Sequence, residues 1–266
     1  MSIFSDKFDQ LKKADKAVKS PKYLQEVMGI GRIAENGIFE VGKGVYSKTY
    51  RFLDINYVTA GAEEQMRILK QYCKTVNAID VYFLITIFNR NKNMQDFREH
   101  VLFQEKGAGF NWLRGSYNQI IEKRIVDGRQ GIEQEKLLTV CVERKSYEQA
   151  KAFFATFEAT LKQNFGELGS CIEELNAEER LRVLFNFYRI GEEEQFSFDF
   201  RQALKKGGDP KNDISPGYMQ FYPGYFETER KKCRALFIKK YPSSLSDTFL
   251  NEITSLPVHS ITTICI

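Results

Sequence analysis

Apolar and polar positions change their rhythm several times along the chain. Over residues 1–20, Phe4, Phe8, Leu11 and Val18 recur at helical spacing among lysines until Ser20-Pro21 interrupts them, which predicts an amphipathic helix outside the main domain. From Gly37 the pattern alternates. Ile38, Phe39 and Val41 lead into Gly42-Lys43-Gly44, and Tyr46, Lys48, Tyr50 and Phe52 follow at period two, so a β-hairpin is expected. Thr59 can cap a helix with Ala62, Met66, Leu69, Cys73 and Val76 on one face, and Glu63 and Glu64 suit its positive N-terminal end. The β-branched and aromatic run over 79–88 suits a strand buried on both faces.

Helical stretches follow around 94–104 and 111–126, then a buried-type strand over 137–142. Ser146 and Gln149 make a capping box for a long helix striped by Ala150, Phe153, Phe154, Phe157, Leu161 and Phe165 and stopped by Gly166 and Gly169. A short strand is expected at Cys171-Ile172, and Asn176 with Glu179 opens a helix through Leu181, Leu184, Phe185 and Tyr188. Residues 191–224 carry Gly-Pro turn signals and read as a long surface excursion. The last section reads as a strand over 234–238, a Ser-capped helix with Leu245, Phe249, Ile253 and Leu256 on one face, and a strand over 260–266.

This last order repeats the strand, helix, strand order of 46–88. The expectation is an α+β fold: a mixed β-sheet with helices packed on it, built from two related strand–helix–strand units around a helical insertion. Strands near 79–88 and 258–266 should share one sheet, with Met66, Leu69 and Cys73 and with Phe249, Ile253 and Leu256 buried by the helices that back them. An amphipathic and linker segment, 1–36, precedes one domain, 37–266. The chain stops within an apolar strand, so a continuation in a longer parent protein is expected.

Composition narrows the classes. The 266 residues, 42% hydrophobic and 14% aromatic, can bury a core, and the net charge of +4 is too weak by itself to demand nucleic acid. Cys73, Cys141, Cys171, Cys233 and Cys265 lack a CxxC pair, so neither a disulfide framework nor a zinc site is suggested. Apolar runs fall short of the roughly 18 residues of a membrane helix, and the start lacks a secretory signal, which fits a cytoplasmic protein.

Candidate chemistry is sparse. GIFEVGKG at 37–44 has phosphate-loop spacing, but Gly44 replaces the Ser or Thr that would meet magnesium, and strand-like residues fill the loop. GIGRIA at 29–34 lacks the strand and helix that a dinucleotide fingerprint needs. His100 and His259 stand far from any matched Cys or carboxylate pattern, and Glu173-Glu174 and Glu192-Glu193-Glu194 read as solvated faces. Arg230, Lys231, Lys232 and Arg234, with Lys239 and Lys240, form a basic patch suited to phosphate, to anionic lipid or to protection of an edge strand. No catalytic, cofactor-binding or metal-binding residue is assigned.

Two stretches, GVYSKTYRFLDINY at 44–57 and ALFIKKYPSSLSDTFL at 235–250 with the strand after it, resemble the amino-terminal region of VirB-four or TraC-type conjugative type IV secretion ATPases, especially those of Gram-positive conjugative elements. The similarity runs from about Pro21 to the chain end. It implies a noncatalytic docking domain that holds a motor domain, absent from this chain, at the cytoplasmic side of the membrane complex. The implied partners are membrane subunits of the secretion channel, other copies of the ATPase and a peripheral contact with the membrane. ATP and magnesium are expected for the full-length parent and no cofactor for this region. The alternative is a nucleic-acid-binding module of the conjugation machinery, with DNA as the partner.

Overall fold

The structure, a computed structural model, describes residues 23–91, 102–104, 109–127, 132–229, 231–240, 248–256 and 258–265. Among these, eight helices and nine strands form an α+β fold, as expected.

The central sheet starts from a hairpin, β1 (Phe39–Gly42) and β2 (Val45–Phe52), turned at Gly44 with φ of 72°. Helix α2 (Ala62–Asn77) then leads to β3 (Tyr82–Asn91), helix α3 (Asn111–Asp127) to β4 (Ile132–Glu143), and helix α4 (Tyr147–Leu168) to the short β5 (Ile172–Glu174). Strands β2 and β3 are each antiparallel to β4, and β4 and β5 are each antiparallel to β2. Two strand–helix–strand crossovers, β2–α2–β3 and β4–α4–β5, therefore interleave in the order β5-β2-β4-β3, with α2 packed against α4. That is the split β-α-β arrangement of ferredoxin-like folds. Strand β1 shares the outer edge of β2 with β5, and β9 (Ser260–Cys265) extends the sheet beyond β3.

The two related units around a helical insertion are thus 45–91 and 132–174, with α3 between them. The second unit expected over 234–266 is corrected. Only its last strand, β9, joins this sheet, pairing with β3 as expected. Its first strand is displaced to β8 (Lys231–Cys233), which pairs with β7 (Tyr225–Thr228), itself paired with β6 (Met219–Tyr222), in a separate three-stranded sheet. Residues 234–240 belong to no strand.

Alternation sends the even-numbered side chains of β2 to one core, while just before β1 Ile38 joins that core and within β1 Phe39 and Val41 face a second. On one face Tyr46, Tyr50 and Phe52 meet Tyr147, Phe157 and Phe165 of α4, and Leu138, Val140, Val142 and Phe154 complete a buried cluster. Ser146 caps α4 by accepting from the Gln149 backbone N–H, one half of the expected capping box, and Gly169 ends the helix in the left-handed conformation, as the sequence predicts. On the other face, over β1, the second core gathers Met28, Phe39, Phe198 and Ile214 with Ala177, Leu181 and Phe185 of α5 (Ala177–Tyr188), whose capping box of Asn176 and Glu179 is complete. Of the expected leader and linker, 1–22 lie outside the described residues, while Leu24, Met28, Ile30 and Ile33 pack into this core beside the short α1 (Leu24–Val27). The supposed surface excursion contributes Phe198 and Ile214 from either side of α6 (Phe200–Lys206), Ile214 ending α7 (Lys211–Ile214). Phe196, Phe200 and Ala203 pack beside them, so this stretch is a buried strap rather than a surface excursion.

Helix α2 departs most from expectation. Its N-cap is Gly61, and the Thr59 hydroxyl instead donates to Asn56 Oδ1 at 2.7 Å. Ile68 and Thr75 are its buried residues, and Arg67 and Lys74 reach Glu167 of α4. Met66, Leu69 and Cys73 lie about half a turn away and are exposed. The final helix, α8 (Thr248–Thr254), leaves Ile253 and Leu256 exposed as well, since the Thr254 carbonyl makes the contact by accepting from Asn89 Nδ2 at 2.7 Å.

Arg180 joins the two cores. Its fully buried guanidinium donates to the Gly37 carbonyl at 2.7 Å and to the Ser47 carbonyl at 2.8 Å, bonds Ser47 Oγ at 3.1 Å and lies 3.9 Å from the Phe39 ring centre. Arg180→Met should lower unfolding free energy by about 3 kcal/mol in denaturant titration, because buried acceptors lose their donors, and Arg180→Lys should recover less than half, since an ammonium cannot reproduce the planar fork. A loss within about 0.5 kcal/mol, the ordinary range for surface changes, would contradict this reading of the bracket.

Candidate docking surface

Ionisable side chains inside the fold are matched to one another. Lys48, on the α4 face of β2, is bracketed by Glu158 of α4 and Glu174 of β5, and Tyr50 donates to the same Glu158 at 3.3 Å. The hydrogen bond from Lys48 holds the Glu174 carboxyl below its usual range, while burial and then Glu158 push the Tyr50 phenol up. Glu173 and Glu174 are both exposed, as expected, and Glu174 also braces β5 to β2 through Lys48. On the opposite face Glu135 bonds Arg51 Nε at 2.6 Å and lies 3.5 Å from Arg90, which also pairs with Glu133. Burial pulls Arg180 down to about 9, so it stays protonated at neutral pH. Each group ties one element to another.

The sequence candidates fall where the fold needs them. Residues 37–44 form the β1–β2 hairpin with no helix after it, and a Cβ on Gly37 would lie 1.9 Å from the Leu175 carbonyl oxygen. The 29–34 loop runs beside β1, where Gly31 N–H donates to the Glu40 carbonyl and Ile33 bridges Phe39. Glu192 pairs with Arg189, and Phe153 stacks on Phe157 within the core. His100 lies outside the described residues. Among the described residues no group of three His, Cys, Asp or Glu side chains could hold a metal ion, and no helix is long and apolar enough to cross a membrane. A shallow open depression is lined by Tyr23, Glu26, Asp209 and Lys211, without a matched acid–base or nucleophile pair.

The outer surface carries the unmatched chemistry. Helix α3 holds out Trp112 (71% exposed), Leu113, Tyr117 and Ile120, with Phe110 just before it. Phe103 packs on Tyr117, and its backbone N–H and C=O are both bonded by the Asn118 amide, which shapes this insertion from within. Helix α2 adds Met66, Leu69 and Tyr72. After β8, Leu236 and Phe237 are 85% and 84% exposed, with Lys231, Lys232 and Arg234 before them and Lys239 and Lys240 behind. The basic run at 230–234 was legible as charge, but the apolar pair beyond it was not legible as surface, because ALFI reads as a buried strand.

A scan against protein-family models found no match, and a search of curated proteins found no significant similarity.

His259 gives the fold a pH signature. Its Nε2–H donates to the Asn186 carbonyl at 3.1 Å and its ring meets Phe88 edge-on, and burial lowers its pKa. The unfolded chain then binds the proton more readily, so stability is complete above an unfolded pKa of about 6.5 and falls as pH drops through that value. Melting curves should show His259→Gln flattening this loss between roughly pH 7 and 5; an unchanged slope would exclude His259 as its source.

Proposed function

We propose that this chain is a noncatalytic assembly domain of a conjugative type IV secretion ATPase, docking the motor to the membrane transfer complex at the cytoplasmic side. The observation that carries this reading is the separation of chemistry just described: ionisable groups are braced inside, while large apolar side chains and a run of cations face outward. Contiguous exposed apolar residues mark interaction surfaces. The resemblance of 44–57 and 235–250 supplies the assembly, with channel subunits, other ATPase copies and the membrane surface as partners.

The nucleic-acid alternative is less well supported. Stacking platforms on sheets of this kind place aromatic side chains on the central strands of the helix-free face. Here the corresponding face, opposite α4, is partly covered by α5; β2 and β4 present Ser47, Thr49, Arg51, Leu137, Thr139 and Cys141 there, with Ser47, Thr49 and Leu137 buried and Ser47 bonded to Arg180 of α5.

Coexpression of the tagged chain with the membrane subunits of a conjugative element should recover those subunits, and recovery should fall when Trp112 and Leu113 are both changed to Ser. Failure to recover any subunit, together with a DNA mobility shift at near-physiological salt, would favour the alternative. The chain alone should show no saturable ATP binding by calorimetry. Binding that Lys43→Ala abolishes would overturn the noncatalytic assignment.

A further inference from the structure

We propose that residues 231–240 are an anionic-lipid anchor, whose cations meet phospholipid headgroups while Leu236 and Phe237 enter the boundary between headgroups and acyl chains. This rests on the docking reading for the nearness of a membrane, and names the surface and lipid class that the reading leaves open.

Three observations converge on the segment. It contains five cations and no carboxylate. Among the described residues, none of Lys231, Lys232, Arg234, Lys239 and Lys240 is in an ion pair; Lys232 leans on the Tyr225 ring at 5.6 Å, although the chain pairs many of its other charges. Leu236 and Phe237 are the most exposed adjacent pair of large apolar residues among those described, and they belong to no strand or helix.

The order of these residues favours lipid. The cations flank the apolar pair on both sides, which matches a laterally continuous negative surface with an apolar layer beneath it. A protein groove would instead match fixed carboxylates to individual cations. A nucleic-acid backbone would use the cations but has no apolar layer for Leu236. Strand β8 fixes one end of the segment to the small sheet, so the anchor would be presented from a folded edge rather than from a free tail.

The test is co-sedimentation of the whole chain with vesicles of phosphatidylglycerol and phosphatidylcholine, against phosphatidylcholine alone. Binding should require phosphatidylglycerol and weaken with added salt. Leu236→Ser with Phe237→Ser should weaken it roughly tenfold, and Lys239→Glu with Lys240→Glu by roughly tenfold or more. Melting temperature should hold in both, since these side chains are exposed. In a Trp112→Phe background, which removes the single native Trp, the fluorescence of a Phe237→Trp variant should shift to the blue on phosphatidylglycerol vesicles. Equal binding to phosphatidylcholine, wild-type binding by either double variant, or an unshifted emission spectrum from the Phe237→Trp variant would overturn the anchor. Subunit recovery that persists without vesicle binding would sink the anchor and leave the docking reading standing.

Discussion

The second core, on the sheet face opposite α4, depends on one buried cation. Arg180 reaches from α5 across to the β1–β2 hairpin and satisfies carbonyls at Gly37 and Ser47. Both bonds are buried, so these acceptors have no water to turn to. A guanidinium suits the place because it offers several donors in one plane and can lie flat on Phe39 while bonding outward. Burial makes its charge costly, and with no carboxylate among its hydrogen-bond partners the backbone dipoles and the aromatic face supply the compensation. The second core, and with it the route to the small sheet and residues 231–240, is built outward from this bracket.

The charged groups elsewhere in the interior follow the same logic. Lys48 with Glu158 and Glu174 ties β2 to α4 and β5, and Glu135 with Arg51 and Arg90 ties β2, β4 and β3. Such pairs gain little net stability over apolar packing, yet breaking one is costly, so they fix which elements meet. A sheet whose two units interleave has several near-equivalent pairings, and the position of each charge excludes the wrong ones.

Signals that act over a few residues were legible in the sequence. Ser146, Gly169, Asn176 and Glu179 all cap the helices they were expected to cap, and the alternation at 46–52 became β2. Pairing over long distance was not legible, because the order strand, helix, strand is degenerate: 234–266 shows it as clearly as 132–174, yet only the latter returns beside β2. In α2 the more apolar stripe was the natural choice for burial, but Arg67, Gln71 and Lys74 converge on Glu167 and turn Ile68 and Thr75 inward instead. The candidate surface was half legible. Its charge appears in any reading of 230–240, whereas the exposure of Leu236 and Phe237 follows from where β8 ends, which no local pattern records.

The central claim is that the interior charges hold the shape and the outer cationic and apolar surface does the binding. Hydrogen exchange of the whole chain, with and without phosphatidylglycerol vesicles, tests it most directly, since it reads every segment at once. The account predicts slower exchange in residues 231–240 on vesicle addition and unchanged, strongly protected amides in β2, β4 and α4. Protection gained in those central elements, with 231–240 unaffected, would contradict it.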